Sequence, residues 1–268
     1  MNNSRAKILS AAAALALCVV ATSSSARDLD EIKQSGEIRI AINEGLPMFS
    51  YLGADMQPEG SDIAAAKLIA EDLGVKLKMV SVSTAARIPT IQTGKADITV
   101  AALSITPERQ QVVDFSIPYS MIEITVAGPK DVKITGYQDL KGMALGVTRA
   151  TVNDADISKN APDANIRRYE DDATLVTAAV SHQVKAVSSN PAVMGEINKK
   201  LTDNPYETKF VQREFELGVA IPKDNPKLKA WLDEWARNNL KNGKLDAIYK
   251  QYHEGRGLSE NVLKAGQS

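Results

Sequence analysis

Polar and apolar residues alternate through EIRIAI, from Glu37 to Ile42, the period of a half-buried strand. The period then changes. In SDIAAAKLIAEDLG the apolar residues recur at helical spacing, Ser61 or Asp62 stands where an N-cap belongs, and Gly74 supplies the stop. VKLKMV alternates again, RIPTIQTG reads as a short helix closed by Gly94, and ADITVAA reads as a buried strand. Thr106-Pro107-Glu108 opens another helix, with Thr as N-cap, Pro at the first helical position and an acid in the first turn. MIEITVAG is extended.

The pattern then begins again. MALGV, NIRRY and VKAVSS read as strands. TVNDADISKN, DDATLVTAAVSH and NPAVMGEINKK read as helices, the second capped by Asp171 or Asp172 and the third by Asn190 with Pro191 at its first position. Two runs of strand-helix alternation predict two parallel sheets, hence an α/β chain with two lobes. FELGVAI adds a strand near the C-terminus. Asn225-Pro226 then starts a long amphipathic helix with Leu228, Trp231, Leu232 and Trp235 on one face, a core face by its spacing. Gly243 ends it, and LDAIYKQYH adds another helix. The expected division is lobe one over residues 27–124 and 217–268 and lobe two over 125–216. No low-complexity linker separates them, so extended strands join the lobes, an arrangement that suits a hinge.

Composition narrows the function. The 268 residues are 44% hydrophobic and 24% charged, enough for one large domain or two modest ones. The formal net charge is -1 and aromatics are 5%, so neither nucleic acid nor an anionic membrane surface is an expected partner. Arg5 and Lys7 precede an apolar run from Ile8 to Val20, and small residues Ser24 and Ala26 precede Arg27. That order reads as a secretory signal peptide over residues 1–26. The run is short for a membrane span. Leu17 stands before Cys18, where a lipoprotein signal would want a small residue. Removal of 1–26 leaves 30 basic and 33 acidic residues and no cysteine. An exported chain with a full-sized core and no disulfide fits a bacterial periplasm.

Catalytic motifs are missing: there is no G-x-S-x-G, Walker loop, H-E-x-x-H or G-x-G-x-x-G. The two histidines, His182 and His253, are unclustered, so neither a metal nor another cofactor is expected. Asp171-Asp172 reads as a helix cap rather than an acid-base pair. Ligands of open α/β sheets bind beyond the carboxyl ends of the strands. Those ends carry Asn43, Glu44 and Leu46; Arg87; Ser104 and Arg109; Thr148, Arg149 and Thr151; Asp171 and Asp172; and Ser188 to Asn190. Arg109 is the odd one. It falls in the first turn of a helix, where the free N–H groups favour anions. Either it receives a carboxylate together with those N–H groups, or it is a surface arginine paired with Glu108 or Asp114.

IPTIQTGKADITVAALSITPERQQVVDFSIPY resembles the family 3 periplasmic solute-binding proteins that serve polar amino-acid ABC transporters. SITPER followed by VVDFS and PY carries the likeness, which extends over nearly the whole mature chain. The resemblance implies a two-lobe, type II-like fold, each lobe a mostly parallel sheet flanked by helices, joined by a two-strand hinge. It implies that Arg109 binds a ligand α-carboxylate and that Ser104 and the backbone around Ala102 hydrogen-bond the ligand. GVTRAT is similar to the second-lobe turn that grips the same carboxylate, which assigns Thr148, Ala150, Thr151 and Val152. Arg87, in ARIP, resembles the arginine that reads a side-chain carboxylate in glutamate/aspartate-binding members; the plainer reading is a salt bridge within its lobe. Four positions depart from the family pattern: Asn43 replaces an acid, Leu46 a tyrosine, Ser61 an aromatic, and Asn190 the aspartate that pairs with the ligand α-ammonium. Asp171 or Asp172 could supply that missing charge.

The expected function is the periplasmic substrate-binding component of an ABC importer for an amino acid or related carboxylate-bearing solute. The chain is expected to act as a monomer, to pair with an inner-membrane permease and to need no catalytic residue. Two rivals use the same scaffold. One is an enzyme like the cyclohexadienyl dehydratases, with Glu44, Asp171 or Asp172 as general acid. The other is a ligand sensor for a membrane receptor.

Overall fold

The structure is a computed structural model and describes residues 26–267. The signal peptide expected over residues 1–26 lies, apart from Ala26, outside the described residues. Among the described residues no helix is long and apolar enough to cross a membrane.

A capping box sets α1 (Leu29–Ser35): Asp28 accepts from the Glu31 N–H and Glu31 from the Asp28 N–H. Next come β1 (Glu37–Ile42) and a small hairpin of β2 (Tyr51–Leu52) and β3 (Pro58–Glu59). The alternation continues with α2 (Ser61–Leu73), β4 (Lys76–Ser81), α3 (Arg87–Gln92), β5 (Ile98–Thr99) and α4 (Pro107–Gln110). After β6 (Asp114–Pro129) a second run holds β7 (Ala144–Thr148), α5 (Val152–Asn160), β8 (Asn165–Tyr169), α6 (Asp172–Val180), β9 (Ala186–Ser189) and α7 (Pro191–Asn198). The chain returns through β10 (Tyr206–Ile221) and ends in α8 (Pro226–Lys241), α9 (Lys244–Tyr252) and α10 (Glu260–Ala265).

One correction concerns how the two expected parallel sheets are joined: both are present, as the ends of a single eight-stranded sheet in the order β4-β1-β5-β10-β6-β9-β7-β8. Each end is parallel, as β4-β1-β5 and β9-β7-β8. The middle is an antiparallel ribbon of β6 and β10, each 16 residues long, which pair from Asp114↔Ile221 to Pro129↔Tyr206. MIEITVAG and FELGVAI are therefore pieces of two long strands, and these strands carry the ladder from one half to the other. The expected lobe limits at 124/125 and 216/217 fall inside both strands. Four register irregularities interrupt the ribbon, and such bulges bend and twist a ribbon locally.

A second correction concerns the start of α2. The cap is Gly60, with no side-chain hydrogen bond, rather than Ser61 or Asp62. Gly60 sits at φ +125°, and a Cβ there would stand 2.2 Å from the Phe49 carbonyl oxygen. Only glycine tolerates both conditions. Ser61 and Asp62 point inward instead and are fully buried. At other termini local chemistry holds as read: Thr106, Asn190 and Asp171 cap α4, α7 and α6, and Gly74 closes α2 in the left-handed region.

The first half packs α2, α8 and α9 around Ile38, Ile40, Ile63, Ile69, Leu228 and Leu232. Each such side chain contributes about 1.5–3 kcal/mol on burial. Trp235 is buried in this core with its indole N–H donating to Asp72 Oδ2 at 3.0 Å, and Trp231 packs against the same core half-buried. The second half has its own cores on the two faces of its sheet, around Val176, Val187 and Ile197 and around Leu140, Val147 and Ile157. Separate cores joined by a ribbon place a cleft between the halves, beyond the carboxyl ends of the parallel strands.

Candidate functional site

The cleft holds about 470 Å³ of space, part of it open to solvent. Of the residues expected at a ligand site, Asn43, Arg87, Ala102, Ser104, Arg109, Thr148, Thr151, Val152 and Asn190 line it. Thr84, Ile122, Asn153, Asp172, Ser188 and Ser189 complete the wall together with Leu46. No aromatic side chain is among these residues.

Ala150 and Ser61 are not among these lining residues, and Ser61 faces elsewhere. Its hydroxyl lies 3.0 Å from His253 Nε2, away from the cleft. That imidazole stacks on Tyr249 and meets Phe49 edge-on. Burial, helped by nearby Arg256, holds it down to about pKa 4, so it stays neutral. Ser61 therefore belongs to the packing of α2 against α9. An aromatic side chain there would have to displace His253 rather than reach a ligand.

Arg87 opens α3 and is buried, with 4% of its surface exposed. Its donors go to backbone: Nε to Thr84 O at 2.8 Å, Nη1 to Ala101 O at 3.0 Å and Ala102 O at 3.2 Å, and Nη2 to Ala150 O at 3.3 Å. The salt bridge weighed for Arg87 is absent among the described residues; carbonyl dipoles take its place. Desolvation, with Arg109 adding repulsion, lowers its pKa to about 9. Arg87→Leu is expected to lower unfolding free energy by about 1–3 kcal/mol, because it orphans buried carbonyls. Urea denaturation checks this; an unchanged midpoint would show that the carbonyls find other partners.

Arg109 reaches the same place from α4. Nη1 donates to Ser104 O at 2.9 Å and Nη2 to Ala150 O at 3.3 Å. Neither Glu108 nor Asp114 forms an ion pair with it among the described residues, and Asp114 pairs with Lys223 at 2.7 Å. Desolvation lowers the guanidinium to about pKa 10, with Glu108 opposing. Two arginines of the first half thus converge on one carbonyl of the second. Ala150 stands at φ +59° in the turn between β7 and α5. Its carbonyl points to the arginines and accepts from both.

Beside that carbonyl, Thr151 caps α5, accepting from the Asp154 N–H at 3.1 Å. Helix geometry leaves the first-turn N–H groups at Val152 and Asn153 without intrahelical acceptors. Thr148 Oγ1 donates to Asp172 Oδ1 at 2.5 Å. Asp172 is the acid that lines the cleft, while Asp171 turns away as the cap of α6. Burial raises Asp172; the Thr148 hydrogen bond and Arg87 oppose this and neighbouring Asp171 adds to it. Asn190 Oδ1 accepts from the N–H groups of Ala192 at 2.9 Å and Val193 at 3.2 Å. Its acceptor is committed to α7, so Asn190 offers the cleft only its amide donors. Arg149 faces outward and pairs with Glu170 at 2.9 Å on the surface.

Beneath the wall lies a network that sequence reasoning missed. Asp62 has no exposed surface and accepts from Tyr119 Oη and from the Ala102 N–H, both at 2.7 Å. Ala102 is held at φ +45°, and its carbonyl is one of those that orient Arg87. Burial pushes the Asp62 carboxyl up to about pKa 7 against the pull of Tyr119, Ala102 and Arg87. Position 62 read only as a possible cap. Thr84, Asn153 and Ile122 were missed as well: Thr84 is legible only as the residue one turn before Arg87, and Ile122 lies within the ribbon.

A sheet of two halves crossed by a long ribbon, with a polar cleft at the crossing, defines a two-lobe receptor. The model for bacterial extracellular solute-binding proteins, family 3, matches residues 38–255, and the chain belongs to that family. The glutamine-binding protein of Geobacillus stearothermophilus is 29% identical over 67% of this chain and 70% of its own. The solved solute receptor for L-cysteine of Neisseria gonorrhoeae superposes with a TM-score of 0.79 at 27% identity, covering 88% of this chain and 98% of that one. The ancestral amino acid-binding protein AncCDT-1, a precursor of cyclohexadienyl dehydratase, gives a TM-score of 0.74 at 31% identity over 84% and 98%.

Proposed function

We propose that the protein binds a free amino acid in this cleft and presents it to the permease of an ABC importer. One observation carries the reading: Arg87, buried, and Arg109, partly desolvated, neither paired with a carboxylate among the described residues, converge beside the open first turn of α5. An α-carboxylate entering there meets Arg109 and the α5 N–H groups and relieves the desolvation of the guanidinium. Asp172 supplies the charge for the α-ammonium in place of the family aspartate that Asn190 replaces. Arg87 faces the remainder of the ligand. With no aromatic on the wall, the side chain is held by hydrogen bonds to Ser, Thr and Asn, which favours a polar side chain. Family membership and the relatives that bind glutamine and L-cysteine support the same reading. Closure of the two halves about β6 and β10 would present a combined surface to the permease.

The test is a thermal-shift screen of the chain from residue 27 against the L-amino acids. A ligand at a hundred times its dissociation constant is expected to add about 2.7 kcal/mol of stability. A clear rise with at least one polar amino acid supports the reading. A flat response to all of them, in a folded protein, would count against it.

A further inference from the structure

A chain of hydrogen bonds leads from the ribbon to the cleft wall, and it has a direction. Gln212 lies on β10 at a register irregularity, between Val211, which faces Thr125, and Arg213, which faces Ile124. A bulge of this kind re-aims a side chain. Its amide reaches Asp156 on α5 and Ser188 on β9: Nε2 donates to Asp156 Oδ2 at 2.5 Å, and Oε1 accepts from Ser188 Oγ at 2.6 Å. Asp156 also accepts from Tyr137 Oη at 2.6 Å and from Asn160 Nδ2 at 3.0 Å.

The order of donors is forced. An ionised carboxylate only accepts, so Asp156 must face the amide NH2 of Gln212. That turns the amide oxygen toward Ser188, and the Ser188 proton must then lie between Oγ and Oε1. Asn153 Nδ2, at 3.5 Å, also points a donor at Ser188 Oγ. The buried hydroxyl is left with lone-pair capacity toward the cleft that it lines, and no proton to give.

We infer that Gln212, oriented by Asp156, is a positioning residue that fixes Ser188 as a hydrogen-bond acceptor, so that this part of the second-half wall takes an N–H donor of the ligand. The inference rests on the amino-acid reading above and deepens it. The α-ammonium is the ligand's strongest donor. With the Asn190 oxygen committed to α7, it finds its second acceptor, beside Asp172, in Ser188. A lone serine could rotate its hydroxyl to donate and so take the carbonyl of a 2-oxo analogue as well. The relay removes that option and makes the site selective for the amine.

Two measurements test this. Neutron diffraction from deuterium-exchanged crystals locates the Ser188 deuteron without need of a ligand. It is expected between Oγ and Gln212 Oε1; a deuteron directed into the cleft overturns the inference. Calorimetric titration then compares L-glutamine with glutaramate, and L-cysteine with 3-mercaptopropanoate, pairs that differ only in the α-ammonium. Ser188→Ala is expected to weaken the amino acid by about tenfold to a hundredfold while leaving the des-amino partner within about twofold, as loss of one hydrogen bond to a charged group predicts. Gln212→Met keeps the Ser188 oxygen but frees its proton, so it is expected to narrow the preference for the amino acid over its des-amino partner by about threefold to tenfold, and the double variant should lose little more than Ser188→Ala alone. Equal losses for both members of a pair would mark Gln212 as merely structural and overturn the inference. Failure of both amino acids to bind the unaltered protein would leave the amino-acid reading to the screen of all the L-amino acids, and the deuteron position would still decide the relay.

Discussion

Arg109→Ala is expected to raise the dissociation constant for the bound amino acid by roughly 30- to 1000-fold, the effect of removing one member of a desolvated, hydrogen-bonded charge pair. Among the described residues the Arg109 side chain donates hydrogen bonds to Ser104 O and Ala150 O alone, and it is partly exposed. The fold therefore depends on it much less than on Arg87, and the thermal midpoint without ligand should move little. Arg109→Lys should fall between the two, since an ammonium keeps the charge but loses the planar fork that meets a carboxylate with two parallel bonds. Calorimetric titration separates the three proteins. A folded Arg109→Ala variant that binds as tightly as the parent would remove the carboxylate from this part of the cleft.

The second large effect is on stability as a function of pH, and it belongs to Asp62. Its carboxyl sits near pKa 7 in the folded protein, against the ordinary value of 3.8. The folded state therefore holds a proton that the unfolded chain has already released. Stability from this source is full below about pH 4 and is lost as the pH rises to about 7. Between pH 5 and pH 8 the loss is on the order of 2 to 3 kcal/mol. Asp62→Asn keeps an acceptor for the Ala102 N–H and offers its amide to Tyr119, whose hydroxyl can accept, so both partners stay satisfied. The variant should show a flatter profile and be the more stable protein at pH 8. Asp172 pulls in the same direction in both proteins and cancels from the comparison. Guanidinium denaturation at pH 5 and pH 8 measures both slopes. Parallel profiles for parent and variant would place the proton elsewhere.

What the sequence revealed of this molecule was set by the range of the interactions involved. Helix ends are local: Thr106-Pro107, Asn190-Pro191, Asp171 and Gly74 carry their capping chemistry within a few residues, and each lies where it was read. The paired strand-helix runs and SITPER likewise pointed to two halves, a cleft and an arginine at its edge. The ribbon was underestimated, because bulges break the alternation of β10 and most of its residues from Glu207 to Glu216 keep contact with water. Ser61 was misplaced because its partner, His253, is 192 residues away. The surroundings of Arg87 were illegible for a different reason: backbone carbonyls leave no signature in a sequence. Asp62 combines both problems, since one of its partners is distant and the other is a backbone N–H.

The central claim is that the cleft recognises an amino acid by its carboxylate at Arg109. Calorimetric titration of the unaltered protein with its best L-amino acid, and then with the primary amine left by formal removal of that carboxylate, tests this most directly. Recognition through the carboxylate predicts tight, saturable binding of the amino acid and loss of at least about a hundredfold in affinity for the amine, the measure of a charge-assisted two-point contact. Binding of the amine with undiminished affinity would contradict it.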